Sequence, residues 1–410
     1  MLNRNDYLQK IRPFIGKDVI KIITGLRRSG KSVILEQLLR EINSPNTMYL
    51  NFEDLDIEHL LNYKALHDYV CEKIGDSKEQ FYLFFDEIQD VEGWEKAINS
   101  LRVKFKADIY ITGSNSKMLS SELSTHITGR YVEFVVYPFS FAEFKQINAE
   151  HTFEEYLQYG GMPFLHNINF EPYESKKYLK DVFNSILLKD VVKRNKIRDI
   201  DLLERIVNYV LDNVGKQFSA TSISNFFKQE KRIVAPETIL NYLKACEEAF
   251  LFKKISYQDM IGKKALNVNG KYYIVDHGLR EAVSGTNIKN QEIILENIVY
   301  LELTRRGYDI KVGRSGAKEI DFVCEKDNEK FYVQVCYILN KEKTIQREFV
   351  SLLNIKDNYP KIVLYKESSF KGNYEGIPAV DIEKWLLENN KLPHYTIFKC
   401  NPPKNVTGIN

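Results

Sequence analysis

The sequence is poor in cysteine, glycine, proline and long apolar runs, and each shortage excludes a class of protein. Its five cysteines make no C-x-x-C pair, which argues against a disulfide framework or a structural zinc site. Only 20 glycines and 11 prolines occur in 410 residues, too few for long flexible linkers. No apolar run approaches the roughly 20 residues of a membrane span. The first residues also lack the basic start and apolar stretch of a signal peptide. We therefore expect a cytoplasmic protein in a reducing compartment, with no membrane partner.

The chain also lacks an excess of charge of either sign. Lys and Arg total 58 and Asp and Glu total 56, a net charge of +2. Such a balance gives no overall electrostatic attraction to nucleic acid, although a local basic patch is compatible with it. At 410 residues the chain exceeds the length at which one core stops growing, so two or three domains are expected.

A glycine-bounded loop near the start has the spacing of a phosphate-binding loop. It reads Gly25-Leu26-Arg27-Arg28-Ser29-Gly30-Lys31-Ser32, and Val33 continues it into helix-forming sequence. A β-branched run, Asp18 to Thr24, precedes it, which predicts strand, loop and helix. Backbone N–H groups of such a loop and the positive helix end surround phosphates. Lys31 would reach the outer phosphates, and the Ser32 hydroxyl would ligate Mg²⁺.

A second motif is a fully apolar run, Phe81 to Phe85, that stops at Asp86-Glu87. Such a run is typical of a strand covered on both faces, and ligands of parallel sheets bind at the carboxyl ends of their strands. Asp86 is thus placed to hold magnesium and Glu87 to polarise the attacking water. The competing interpretation is a solvated pair that ends the strand.

Further strands are predicted at 47–52 and 107–112, with helical segments between the strands. This alternation predicts a mostly parallel α/β sheet with helices on both faces, the P-loop NTPase fold class. We expect this domain to span residues 1–165.

Together these motifs resemble the prokaryotic AAA-type ATPases often labelled the archaeal ATPase group. The resemblance also rests on Thr128-Gly129-Arg130-Tyr131, on the segment Tyr137 to Phe144 and on Tyr159-Gly160-Gly161-Met162-Pro163. It implies ATP and Mg²⁺ as cofactors and a conserved C-terminal domain of unknown function. Because AAA proteins commonly act as rings, it also leaves a homo-oligomer open.

Two more site residues are expected after the AAA pattern. The strand that ends Ile111-Thr112-Gly113 resembles the AAA sensor strand, so Asn115 or Ser114 would contact the terminal phosphate and the attacking water. A plain polar turn is the alternative. Arg130 is the candidate arginine finger, since phosphoryl transfer gains most from a guanidinium at the transition state. An ordinary surface arginine is the alternative for Arg130.

The middle of the chain, residues 166–280, predicts a helical domain with a winged helix-turn-helix. Helical patterns near 173–199, 202–213, 219–227 and 235–250 precede two extended pieces at 251–257 and 271–276. The third helix of the motif exposes Glu237, Asn241, Lys244, Glu247 and Glu248. That face is not the basic one that neutralises DNA phosphates, so a lid or spacer is favoured. Lys263, Lys264 and Lys271 in the hairpin keep a DNA partner open.

The C-terminal third, residues 281–388, resembles the PD-(D/E)XK nuclease outline, an α/β restriction-endonuclease-like fold. Glu296 on a helix and Asp321 on a strand match that outline, but the expected Glu-x-Lys is Gln334-Val335-Cys336. A neutral amide is a poor Mg²⁺ ligand and a thiol cannot replace the ammonium, so a non-catalytic scaffold is expected. A migrated lysine such as Lys318 is the alternative. Residues 389–410 are interpreted as a tail.

The function expected from the sequence is Mg²⁺-dependent binding and hydrolysis of ATP by a regulatory or nucleic-acid-associated ATPase. The alternative is a nucleic-acid-binding protein or nuclease switched by ATP, and the partner could be DNA or protein.

Overall fold

We describe a computed structural model of the chain, covering residues 2–116, 129–260, 265–285, 291–315, 318–340, 342–370 and 372–388. Thr128 of the Thr-Gly-Arg-Tyr motif, Lys263, Lys264 and the expected tail lie outside these ranges.

The first layer is a five-stranded sheet in which every strand is parallel to its neighbours. Its strands are β1 (Ile20–Gly25), β2 (Thr47–Asn51), β3 (Phe81–Asp86), β4 (Ala107–Gly113) and β5 (Tyr131–Val136). Their spatial order is β2-β3-β4-β1-β5. The parallel α/β architecture expected from the sequence, a P-loop NTPase fold, is confirmed. The carboxyl ends of β1, β3 and β4 meet at one edge, where both motifs lie.

Helices cover both faces of this sheet, as the largely buried strands β1, β3 and β4 require. They are α1 (Asn5–Ile11), α2 (Lys31–Ile42), α3 (Tyr63–Ile74) and α4 (Trp94–Lys104). One hydrophobic core joins α1 and α2 to the sheet, and a second joins α3 and α4 to its other face. Short 3₁₀ turns occupy Arg12–Phe14, Leu55–Leu60 and Ile88–Asp90.

A helical segment links this sheet to the rest of the chain. It contains α5 (Phe141–Ile147), α6 (Phe153–Tyr159), a 3₁₀ turn (Pro163–Ile168), α7 (Pro172–Ser185) and the π-helix Ile186–Lys193, which continues α7 without a break. Next come α8 (Ile200–Asp212), α9 (Ala220–Gln229) and α10 (Pro236–Glu248).

The second sheet has nine strands among the described residues, in the order β13-β14-β12-β11-β10-β9-β7-β8-β6. They are β6 (Gln217–Phe218), β7 (Phe252–Asp259), β8 (Ala265–Ile274), β9 (Asp309–Ser315), β10 (Lys318–Lys326), β11 (Glu329–Ile338), β12 (Lys361–Glu367), β13 (Gly372–Tyr374) and β14 (Ile377–Asp381). Its helices are α11 (His277–Ser284), α12 (Gln291–Arg305), α13 (Glu342–Leu353) and α14 (Ile382–Leu387).

This second sheet crosses the boundary expected near residue 280. The β7–β8 hairpin, expected as the wing of the winged helix, pairs with β9 of the expected nuclease-like unit. One hydrophobic core likewise runs from the helices at 172–248 to Trp385 and Leu386. The division into 166–280 and 281–388 stays a prediction, and the two parts share a sheet and a core.

The Tyr159-Gly160-Gly161 motif forms the junction between the two halves. The backbone N–H of Gly161 donates to the buried Asp276 carboxylate at 2.8 Å, and Phe139 N donates to Gly161 O at 2.7 Å. A Cβ at Gly161 would lie 2.2 Å from the Phe139 carbonyl oxygen. Only glycine allows this approach, which explains the motif physically.

Candidate nucleotide site

The glycine-bounded loop turns from β1 into α2 as its sequence predicts. Gly25 has φ +143°, and a Cβ there would lie 2.1 Å from the Val136 carbonyl oxygen of the paired strand β5. Gly30, with φ +96°, precedes the first residue of α2. Both positions therefore require glycine. The loop ends at a helix N-terminus, where free N–H groups and the helix dipole favour an anion.

Lys31 is buried at the first position of α2, only 3% exposed. Its Nζ donates to the Leu26 carbonyl at 3.3 Å and lies 3.4 Å from Glu87 Oε1. Both contacts are long for an ammonium group, whose charge-assisted hydrogen bonds are usually about 2.7–2.9 Å. The ammonium is therefore loosely held where the loop closes.

The Asp86 carboxylate, at the end of β3, is held by two hydroxyl groups. Thr112 on β4 donates to Oδ1, and the Tyr49 hydroxyl on β2 donates to Oδ2 from 3.0 Å. Neither hydroxyl is among the site residues expected from the sequence. Their places, near the ends of the strands that flank β3, are the signal that could have found them. Hydroxyl donors leave the carboxylate further lone pairs with which to accept from a water or a cation.

Glu87 adopts a left-handed backbone conformation, with φ +52°, directly after the strand. Its N–H donates to the Thr112 hydroxyl at 2.8 Å, and the Gln89 amide donates to its carboxylate. Burial opposes ionisation of this carboxyl group, but Lys31, Gln89, Arg27 and Arg194 outweigh burial and lower the pKa of Glu87. Glu87 is thus a buried, ionised carboxylate in a strained turn beside the loop.

Ser114 and Asn115 are both buried at the end of β4. The Ser114 hydroxyl donates to Asp190 Oδ1 at 3.1 Å and accepts from Arg194 at 3.4 Å. Asp190 and Arg194 lie in and directly after the π-helix, and neither was singled out from the sequence. A carboxylate next to Lys189, within the otherwise apolar run 186–192, was the available signal.

Arg130 lies at the amino ends of the strands, opposite the carboxyl ends where the phosphate loop lies. It directly precedes β5, its carbonyl accepts from Ile20 N, and its side chain is exposed. The loop follows the far end of β1, six residues away along the strand, or about 20 Å at 3.3 Å per residue. The structure therefore does not bring Arg130 to the phosphate loop of its own chain.

A cavity of 770 Å³ opens above the loop. Five basic side chains and two carboxylates line it: Arg4, Arg27, Arg28, Lys31, Lys189, Glu53 and Glu87. Arg4 is itself buried and donates to Ser29 O at 2.9 Å, Tyr137 O at 3.0 Å and Glu143 Oε1 at 2.8 Å, which ties the loop to the junction. The other wall is apolar and aromatic, and includes Leu2, Phe139, Pro163 and Phe164. Charge and shape thus suit a phosphate chain attached to a flat apolar group.

A second cavity, of 740 Å³, lies in the nine-stranded sheet. Lys271 of β8 lies on its wall, with its Nζ 2.8 Å from Glu296 Oε1 and 2.5 Å from Glu319 Oε1. Burial raises the pKa of Asp321, and Glu296 raises it further, against the opposing effects of Lys271 and the Val335 N–H. Lys318, the lysine considered from the sequence, is exposed on the rim, so the buried ammonium comes from a different strand.

The third helix of the expected winged helix, α10, packs through Ile239, Leu243 and Cys246. Lys244 on its outer side lies 3.9 Å from Glu248.

Among the described residues no His, Cys, Asp or Glu group of three or more could hold a metal ion, and no helix is both long and apolar enough to cross a membrane.

The fold and the loop define a P-loop ATPase, and residues 17–145 match the family model of an AAA domain. Residues 150–291 match a domain of unknown function. An uncharacterized protein of Haemophilus influenzae is 40% identical over 401 residues, which cover 95% of this chain and 99% of that protein. An uncharacterized protein of Methanocaldococcus jannaschii is 32% identical over 380 residues, covering 86% and 83%. The chain belongs to one family with these two proteins, and it is an ATP-binding ATPase of the AAA type.

Among solved structures, a Walker-type ATPase of Pyrococcus abyssi is similar over 69% of this chain and 96% of its own length, with 15% identity and a TM-score of 0.48.

Proposed function

We propose that the chain hydrolyses ATP with Mg²⁺ at the carboxyl edge of the five-stranded sheet, and that the nucleotide state controls the C-terminal half. The observation that carries this proposal is Glu87, a buried ionised carboxylate 3.4 Å from Lys31 and adjacent to Asp86. In this interpretation the loop from Gly25 to Val33 holds the phosphates, and Lys31 neutralises the outer ones. Glu87 accepts a proton from the attacking water, and Asn115 orients that water.

The residues around Asp86 suit a magnesium ion. Its carboxylate is buried with two hydroxyl donors, and Ser32 and Glu87, the neighbour of Asp86, line the cavity above the loop. Mg²⁺ usually takes one or two protein oxygens and completes its shell with phosphates and water, so three protein carboxylates are not required. Ser32 and Asp86 would hold the ion, which would neutralise charge on the transferred phosphoryl group. The four free cysteines among the described residues support a reducing, cytoplasmic setting for this chemistry.

The test separates binding from hydrolysis. Glu87→Gln removes the base but keeps the loop, so ATP binding should persist while phosphate release falls at least about a hundredfold. Glu92→Gln, an exposed carboxylate in the same domain, is the matched control and should keep wild-type rates. Hydrolysis by Glu87→Gln at the wild-type rate would contradict the proposed base.

Arg130 keeps a catalytic role in this proposal only in a neighbouring copy. Its distance of about 20 Å from its own loop argues against contact with phosphates held there. We therefore expect ATPase activity per chain to rise with protein concentration, and Arg130→Ala to abolish that rise. A protein that remains a monomer with ATP, by mass in solution, and hydrolyses normally would remove Arg130 from the site.

The second cavity favours one other candidate function, cleavage of nucleic acid. Lys271 supplies an ammonium group beside Glu296 and Asp321, in place of the expected motif lysine, whose position is Cys336. Four exposed basic residues line the same cavity and could contact a phosphate backbone: Lys216, Lys318, Lys343 and Arg347. Incubation of plasmid DNA with the protein, Mg²⁺ and ATP should then give nicks that Asp321→Ala abolishes and Asp309→Ala, an exposed control on β9, does not. Intact plasmid with wild type would refute this candidate.

A further inference from the structure

We propose that Asp190 is a positioning residue that fixes the phosphate loop and the end of β4 and connects both to the helical half of the chain. This inference rests on the proposed function. It names one residue through which the nucleotide state would control the C-terminal half.

Asp190 is fully buried, and its carboxylate is shared by side chains from three segments. Arg27 in the phosphate loop donates to it through Nε at 2.8 Å and through Nη2 at 3.4 Å. Ser114, after β4, donates at 3.1 Å, and Arg194 lies 3.5 Å away. One carboxylate therefore sets the distance between the loop and the end of β4.

Arg27 is held on its outer side by carboxylates. Its third nitrogen, Nη1, donates to Glu53 Oε1 at 3.1 Å, so Asp190 and Glu53 together engage all three guanidinium nitrogens. Arg27 thus connects the loop backbone to the π-helix through its hydrogen bonds with Asp190. A charged hydrogen bond of this kind is directional, so the loop cannot shift without straining the pair.

Asp190 also belongs to the helical half. Leu187 and Val191, its neighbours in the π-helix, are buried in the core that contains α8 and α10. A second contact leads from the end of β4 to the same core, because the Ser116 hydroxyl donates to the carbonyl of Glu248 in α10 at 3.2 Å. Stretches of π-helix are rare and occur frequently at functional sites. Movement of the loop on nucleotide binding would therefore reach α8 through Asp190.

The experiment measures hydrogen exchange of the amides in α8, with and without a saturating non-hydrolysable ATP analogue and Mg²⁺. In wild type, the analogue should slow exchange in α8. In Asp190→Asn, the affinity for the analogue should fall about tenfold to a hundredfold, because a buried charged partner of the loop is lost. At saturation the protection of α8 should also be absent. Asp181→Asn, an exposed carboxylate on α7 with a side chain 63% exposed, should behave as wild type.

The second readout distinguishes positioning from a merely structural effect. A structural effect would lower the thermal midpoint and the affinity but would keep the protection of α8 once the site is saturated. If Asp190→Asn does not fold, Arg27→Gln removes the same pair from the loop side and should also lose the protection. Full protection of α8 in either saturated variant would overturn the inference. So would a wild type that binds the analogue without any change in α8. A wild type that binds no nucleotide would instead refute the proposed function.

Discussion

Lys31, at the start of α2, and Lys271, on β8, are both buried beside carboxylates, and their surroundings differ in charge. Lys31 lies 3.4 Å from one carboxylate, in a cavity lined by five basic and two acidic side chains. Lys271 lies 2.8 Å and 2.5 Å from two carboxylates, in a cavity with five of each sign. The first site has positive charge left for an anion, whereas the second is neutralised by its own residues. Excess positive charge, more than the presence of a buried lysine, distinguishes the proposed nucleotide site from the second cavity.

The largest expected effect comes from removal of the neutralised lysine. Lys271→Ala would leave Glu296 and Glu319 without their cation beside Asp321, and should lower the free energy of unfolding by about 3–5 kcal/mol. Urea denaturation followed by circular dichroism measures the loss. Lys318→Ala, on the exposed rim of the same cavity, should stay within about 0.5 kcal/mol of wild type. Equal stability of Lys271→Ala and wild type would show that the pairing does not hold this sheet together.

Lys31→Ala should show the opposite pattern. Because Lys31 is loosely paired, its loss should change the stability of the nucleotide-free protein by less than about 1 kcal/mol. The affinity for ATP with Mg²⁺ should fall about a hundredfold, since a charged phosphate contact is lost. Titration calorimetry measures this affinity, and Lys17→Ala, at an exposed position before β1, provides the control. Unchanged affinity would place the phosphates elsewhere.

The two sites also differ in the direction in which they shift a carboxyl pKa. The pKa of Asp321 is raised, mainly by burial, so the folded state binds its proton more strongly than the unfolded state. Stability from this group therefore falls as pH rises above the ordinary aspartate pKa near 3.9. The pKa of Glu87 is lowered despite burial, so its contribution is lost as pH falls through the folded-state pKa.

Asp321→Asn should therefore be more stable than wild type at pH 8, by about 1 kcal/mol, and the difference should shrink toward pH 4. Thermal unfolding across this pH range measures it. Glu87→Gln provides the contrast, because it should lose stability at neutral pH and none in strong acid. A wild-type-like pH profile for Asp321→Asn would mean that its charge is fully compensated in the fold.

The strands, loop and helix that form the proposed nucleotide site were predictable because each is local in sequence. The loop, the end of β3 and the strand before Ser114 each follow from periodicity and spacing within a dozen residues. Contacts that join distant segments were not predictable. Asp190 lies 163 residues from Arg27, and the register that brings Tyr49 to Asp86 depends on the strand order. Arg130 is the opposite case: it lies near the motifs in sequence but far from the loop in the structure, at the amino ends of the strands.

The same limit applies to the second sheet. Helix α12 and the strands β10 and β11 were expected from their patterns, and the structure has them. The sequence places Lys271 in the expected winged-helix hairpin, where it keeps a DNA partner open, because nothing local connects it to Glu296 and Asp321. Within the described residues, the pairing of β7 with β9 joins that hairpin to the strands that carry Asp321 and Gln334. Shared sheets between segments far apart in the chain leave no periodic signal.

The smallest expected effect is on recognition of the nucleobase by the apolar wall of the cavity above the phosphate loop. It contrasts with recognition of the phosphates by the charged residues of the same cavity. Phe164 is 42% exposed on the cavity wall and packs on Tyr178, with ring centroids 4.8 Å apart. A nucleobase stacked on Phe164 would gain about 0.5–1.5 kcal/mol, so Phe164→Ala should weaken ATP binding about threefold to tenfold. Binding of inorganic triphosphate, which has no base, should not change. Tyr173→Ala, an aromatic residue 76% exposed outside the cavity, controls for loss of a surface ring. If Phe164→Ala weakens the binding of ATP and of triphosphate equally, Phe164 supports the loop and does not contact the base.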